Sequence, residues 1–181
     1  SAPVMTSQAN ICEYDEAPIL HAGGENITWY ASDKTTVIGN ETSYQTTDMT
    51  SGVKRYYATQ TVLGCEGQQA AVTYTINGKP SNPTVTGANV CEGNEEIPSL
   101  TTNMSMDKWY ADESALTYLT TGYTYTPAFS EVGNSDKTYY VQRELNNCLS
   151  DIMPVVLHVI PKPVFSIGDD TTLCVYDDVL T

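Results

Sequence analysis

Short runs of alternating apolar and polar residues, separated by Gly, Pro and Asn, fill most of the chain. Residues Ile27 to Ala31 alternate with a period of two, which predicts a strand with Ile27 and Trp29 on one face and Thr28 and Tyr30 on the other. Lys54 to Leu63 and Gln69 to Ile76 read as two longer strands around a Gly64-Cys65 turn, and Val72, Tyr74 and Ile76 share a face. In the second half, Val85 to Val90, Lys108 to Ala111, Tyr123 to Thr126, Lys137 to Leu145 and Val155 to Ile160 repeat the plan. No segment carries a convincing helical period with caps, and residues 112–119 come nearest to a helical turn. Short strands between regularly spaced turns predict an all-β chain of antiparallel sandwiches.

The strand pattern occurs twice and begins a third time. Ile11-Cys12-Glu13, Trp29-Tyr30-Ala31, Tyr56-Tyr57 and Gly64-Cys65 are matched by Val90-Cys91-Glu92, Trp109-Tyr110-Ala111, Tyr139-Tyr140 and Asn147-Cys148. Leu173-Cys174-Val175 opens another copy. Corresponding cysteines are 79 or 83 positions apart. A fixed period of this size predicts a tandem array of small domains: residues 1–79, residues 80–162, and the start of a third unit at 163–181. Junctions at 77–83 and 161–163 contain prolines, which makes them short and semi-rigid. The chain is expected to be a segment of a longer polypeptide whose targeting signals lie elsewhere.

Units this small bury only about 60% of their unfolded surface, so a covalent staple is useful. Five cysteines allow one pair per unit: Cys12 with Cys65, Cys91 with Cys148, and Cys174 with a partner beyond the segment. Four cysteines permit three pairings, and the pairing within each unit is the most economical for equivalent positions. Disulfides place the chain in an oxidising, extracellular setting. Zinc is disfavoured, because no two cysteines are close and His21 and His158 are not equivalent.

Charge changes the partner classes. Eight Lys and Arg against twenty-two Asp and Glu give a net charge of −14, which repels phosphate backbones and argues against nucleic acid. No apolar run is long enough for a transmembrane helix, so no membrane insertion is expected from this segment. Acidic clusters follow the first cysteine of each unit, and Glu13, Asp15, Glu92, Asp169 and Asp170 are the candidate calcium ligands, although no calcium-loop motif occurs. No other cofactor is expected. Neither histidine lies near a nucleophile elbow, and no catalytic constellation is visible, so the chain is not expected to be an enzyme. Trp29 and Trp109 are expected in the cores, packed near the disulfides, while Tyr30 and Tyr110 are expected to face outward as a candidate adhesive surface.

The cysteine spacing departs from antibody domains, where the second Cys lies two residues after the corner Tyr; here Cys65 and Cys148 follow Tyr57 and Tyr140 by eight. That places the second Cys in the last hairpin and predicts a bridge at one pole of the sandwich. This variant resembles the Ig-like repeat modules of giant secreted surface proteins in gliding, Bacteroidetes-type bacteria. The resemblance rests on Val90-Cys91-Glu92-Gly93, Lys108-Trp109-Tyr110-Ala111, Tyr123-Thr124-Tyr125-Thr126-Pro127, Lys137-Thr138-Tyr139-Tyr140-Val141 and Asn147-Cys148. The first unit has Tyr44-Gln45-Thr46 in place of the Tyr-Thr-Pro run. The resemblance implies export by the type IX system, a cell-surface location, and a stalk role in adhesins, including those of gliding motility. Neighbouring repeats of the same chain are then the first partners, with a surface polysaccharide or protein as ligand. The competing expectations are a glycan- or protein-binding module and an accessory region of a secreted enzyme.

Overall fold

The computed structural model describes residues 1–164 as two all-β, Ig-like sandwiches joined end to end. The expected third unit, with Cys174, Asp169 and Asp170, lies outside the described residues. The first sandwich is built from β1 (Val4–Met5), β2 (Ile11–Cys12), β3 (Ile19–Gly23), β4 (Ile27–Tyr30), β5 (Val37–Gly39), β6 (Ser43–Gln45), β7 (Gly52–Val62), β8 (Cys65–Glu66) and β9 (Ala70–Asn77). One sheet has the order β1-β3-β6 and the facing one β2-β9-β7-β4-β5, with β8 extending the hairpin from β7.

The second sandwich contains β10 (Val85–Thr86), β11 (Ala88–Cys91), β12 (Leu100–Thr102), β13 (Lys108–Tyr110), β14 (Tyr118–Thr121), β15 (Thr124–Tyr125), β16 (Lys137–Gln142), β17 (Glu144–Leu145), β18 (Cys148–Leu149) and β19 (Met153–Ile160). Its sheets run β10-β12-β15 and β11-β19-β16-β13-β14, and β17 pairs with β18 in the last hairpin. A 3-10 turn, Phe129–Glu131, interrupts the strands.

Alternation selects the core. Ile27, Trp29, Val72, Tyr74 and Ile76 point inward with Leu20 and Ala58. Trp109, Tyr139, Val141, Val155, Leu157 and Val159 fill the second core with Val90 and Leu100. Both tryptophans are fully buried, and each indole Nε1 donates to a backbone carbonyl: Trp29 to Glu41 at 2.8 Å and Trp109 to Gly122 at 2.9 Å. The bonds satisfy the one polar atom of each ring, which burial would otherwise penalise.

Several strand predictions need correction. The opening segment of each sandwich is two short strands in different sheets. In the second sandwich β10 pairs with β12, after which Gly87 carries the chain across and β11 joins β19 in parallel. A Cβ on Gly87 would sit 2.3 Å from the Val156 carbonyl oxygen, so the crossing admits only glycine. The 112–119 segment is not a helical turn. Asp112 accepts the backbone N–H groups of Leu116 (3.1 Å) and Thr117 (2.7 Å), closing a loop that leads into the unpredicted strand β14. Asp33 does the same for Thr35 and Thr36 ahead of β5, which was also missed.

The cysteine pairing is the principal correction. The bond joins Cys12 to Cys148, across the two sandwiches, with the Cα atoms 5.6 Å apart; Cys65 and Cys91 are exposed thiols. Strand direction explains why. Strand β2 runs parallel to β9, with Cys12 opposite Asn77 at its far end, whereas Cys65 lies in the hairpin that precedes the start of β9. The eight residues of β9 separate the two poles by roughly 23 Å. A disulfide tolerates a Cα separation of about 7 Å at most. Strand β19, between Cys148 and the position of Cys91 opposite Ile160, separates the second pair in the same way. The two cysteines of one unit therefore sit at opposite poles, not together at one.

Candidate functional site: the junction between the sandwiches

The junction brings the far pole of the first sandwich against the near pole of the second. Strand β2 ends at Cys12, and the Asp15 carboxylate accepts the Cys12 backbone N–H at 2.7 Å, fixing the following turn. Cys148 is delivered by a two-residue turn in which Asn146 and Asn147 have φ of 52° and 63°. This left-handed pair is the type I′ hairpin geometry that asparagine tolerates. Both bonded cysteines are buried.

Hydrogen bonds surround the bridge. The Asn77 side chain donates to the Asn146 carbonyl at 3.2 Å, and the Leu149 N–H donates to the Tyr14 hydroxyl at 2.5 Å. Lys79 in the connecting segment pairs with Asp151 at 2.5 Å, and Asn82 exchanges two hydrogen bonds with the same residue. Lys79 and Asn82 hold the Asp151 carboxyl below its usual range. Individually these exposed contacts contribute little, because water screens the ion pair. Their geometric effect is larger, because they surround a covalent bond and a linker with prolines at 80 and 83.

Behind the near pole of the second sandwich lies a buried ion pair that sequence reasoning missed. Arg143 Nε donates to Asp107 Oδ1 at 2.8 Å and Nη2 to Oδ2 at 3.0 Å; Asp107 is 0% and Arg143 6% exposed. Thr102 donates to the same carboxylate, while Arg143 also reaches Asn103 and the Ser81 carbonyl. The guanidinium thus ties the connecting segment to the sandwich it enters. The first sandwich has Gln60 in the corresponding place, whose Nε2 donates to the Ser1 carbonyl at 3.1 Å. The only sequence cue was an Arg where the repeat has Gln, in a chain with few basic residues.

The remaining predicted residues are dispersed. Trp29 and Trp109 lie in the cores, away from the disulfide, which is at the junction. Tyr110 is not an outward-facing adhesive residue. It is buried under Tyr118, whose ring packs edge-on at 6.0 Å. Tyr30 is half-buried and its hydroxyl donates to Glu66 at 2.7 Å, an interaction that raises the tyrosine pKa and lowers that of Glu66. Among the described residues the well-exposed tyrosines are Tyr14, Tyr118 and Tyr123.

The calcium candidates are not assembled either. Glu13 and Asp15 occupy the far pole of the first sandwich, and Glu92 that of the second, where its carboxylate accepts the Lys162 N–H at 3.3 Å. Among the described residues no three acidic, His or Cys side chains converge on one point. His158 pairs with Asp136 at 2.8 Å on the exposed face of β19, with no nucleophile in the arrangement. No described helix is long and apolar enough to cross a membrane.

No curated protein matches the chain in sequence. Among solved structures, the insect immune protein hemolin aligns over 87% of this chain at 7% identity and a TM-score of 0.40, and tandem Ig repeats of Dlar over 90% at 11% identity and 0.32. The chain covers 47% of hemolin and 54% of the four-domain Sidekick-1 fragment, about half the length of each, and 100% of the Dlar pair. In sequence, residues 80–161 match the family model described as Ig-like domain, CHU_C associated.

Proposed function

We propose that the chain is a load-bearing stretch of an extracellular, cell-surface adhesin, built from Ig-like modules at residues 1–79 and 80–162, with a further module beginning at 163. The observation that carries this reading is the covalent junction. A protein whose modules only had to be adjacent would need a linker alone; here a disulfide, an ion pair and several hydrogen bonds fix one module on the next. Such a joint transmits direction as well as tension, which suits a filament reaching from a surface. The family match of residues 80–161 supports a Bacteroidetes-type Ig module, and a role in gliding motility with export by the type IX route is the finer form of the proposal. The partners are then neighbouring modules of the same chain and a surface polysaccharide or protein.

An antibody raised against this segment tests the reading on intact producing cells. Surface labelling with loss of attachment or movement is the expected result. Signal confined to the medium or the cell interior would overturn it and favour an accessory region of a secreted enzyme.

A second reading has one observation in its favour. Tyr118, 56% exposed, packs on Tyr110, which lines an open groove with Glu113, Gln142 and Glu144, and Val37 stands opposite Tyr30 in the first sandwich where Tyr118 stands opposite Tyr110. An aromatic patch in one module only is what a glycan- or peptide-binding site requires. Binding to a polysaccharide array that disappears in Tyr118→Ala would favour it over the spacer role.

A further inference from the structure

Cys65 and Cys91 are both exposed thiols, and each reproduces the local geometry of a cysteine that is bonded. Cys91 stands opposite Ile160 at the end of β19 as Cys12 stands opposite Asn77 at the end of β9. Glu92 N–H donates to the Ile160 carbonyl at 2.9 Å, and Glu13 N–H to the Asn77 carbonyl at 3.0 Å. The turns that follow close alike, Asn94 onto Cys91 at 3.0 Å and Asp15 onto Cys12 at 2.9 Å. At the other pole, Cys65 pairs with Val62 across a left-handed turn at Leu63-Gly64, as Cys148 pairs with Leu145 across Asn146-Asn147. Gly67 N–H returns to the Gln60 carbonyl at 2.8 Å, and Ser150 N–H to the Arg143 carbonyl at 2.9 Å.

We propose that Cys65 and Cys91 are the two complementary halves of a further inter-module bridge, identical in kind to Cys12–Cys148. Cys91 takes the hairpin cysteine of a module of this type docked on the far pole of the second sandwich. Cys65 takes the strand-end cysteine of one docked on the near pole of the first. The two cannot join within one chain, since they lie at the outer poles of the two sandwiches. The bond forms when a low-molecular-weight or protein disulfide accepts two electrons and two protons from the thiol pair and is released as two thiols. This inference rests on the junction geometry and is independent of the adhesin reading: a bridged array in a non-adhesive protein would satisfy one and not the other.

A second copy of the chain supplies both complementary poles, so the test needs no unidentified partner. Two full-length proteins, Cys65→Ser and Cys91→Ser, both also carrying Cys174→Ser, are incubated with oxidised and reduced glutathione, separately and mixed. The expected product is a heterodimer in the mixture alone, exceeding either homodimer about tenfold, the ratio that about 1.4 kcal/mol of matched pole-to-pole contact gives. Non-reducing digestion should yield a Cys65–Cys91 peptide pair between the copies and Cys12–Cys148 within each. Equal homodimers from each variant alone, no cross-link in the mixture, or a Cys12–Cys65 or Cys91–Cys148 peptide would each overturn the proposal.

Discussion

Cys148, in the last hairpin of the second sandwich, is bonded to Cys12 in the first strand pair of the other, 136 positions earlier. Each folded sandwich therefore anchors a loop of the other. When either one unfolds while its neighbour stays folded, the bridge and the linker together close a loop of about 70 residues, a constraint on the unfolded state of about 4 kcal/mol. Cys148→Ser should thus weaken both sandwiches, including residues 1–79 to which Cys148 does not belong. Urea titration followed separately at Trp29 and Trp109, in single-tryptophan variants, should show both midpoints falling. A loss confined to the second sandwich would argue against the cross-junction bond.

The buried Asp107–Arg143 pair makes a distinct prediction. Arg143→Ala leaves the Asp107 carboxylate without its counter-charge and should cost the second sandwich about 3–5 kcal/mol. Replacing both residues by apolar ones of similar volume should cost much less, since no charge is then left buried. Denaturant melts of the single and double variants measure the difference. A single variant as stable as the parent would show that water reaches the carboxylate.

Gly87→Ala should separate β11 from β19, because the added methyl carbon would meet the Val156 carbonyl at 2.3 Å. The expected result is loss of hydrogen-exchange protection at residues 88–91, with the β16–β13 centre of the sheet retained. The bridge proposed at Cys91 should become correspondingly slower to form.

Acid stability follows from the loop-closing carboxylates. The Thr36 side chain and the Thr35 and Thr36 N–H groups hold Asp33 at about 2, below its usual 3.8, and Lys54 with Thr50 holds Asp48 at about 2. Asp112 is lowered in the same way by Ser114 and Thr117. A lowered folded-state value means that the ionised form stabilises the fold fully above pH 3.8 and that this contribution is lost as pH falls toward 2. Carboxyl carbon shifts in an NMR titration should show Asp33 and Asp48 changing near pH 2. Midpoints near 3.8 would mean the loops are open in solution.

Period two was enough to place the long strands and both cores, because Trp29, Val72, Tyr74 and Val155 to Val159 keep strict alternation over several residues. Strands of two to four residues, such as β5, β12 and β14, carry too few positions for a period to register, and β5 and β14 are placed by Asp33 and Asp112 closing the preceding loops. The Cys pairing failed for a reason visible in the strand directions. Repetition shows which cysteines are equivalent but not which poles they occupy, and poles follow from β2 and β11 running parallel to the last strand. Alternation puts Tyr110 on the face opposite Trp109, yet a two-residue rule does not foresee Tyr118 packing over it and burying it. The Asp107–Arg143 pair belongs to one sandwich only, so the repeat that revealed the rest tended to hide it.

The 26 positions from Cys65 to Cys91 follow β9, the linker, β10 and β11, so they run from one outer pole to the other across both sandwiches, mostly as strand. Fully drawn out, 26 residues reach about 90 Å, which bounds how far two bridged modules can be pulled apart. With bridges at every junction, these segments would link through sulfur into continuous cables, each segment passing two modules. Pulling such a fibre would disrupt the cores before it stretched past that limit. Its reach would then be fixed by covalent geometry, and only a reductant would turn it into an extensible thread.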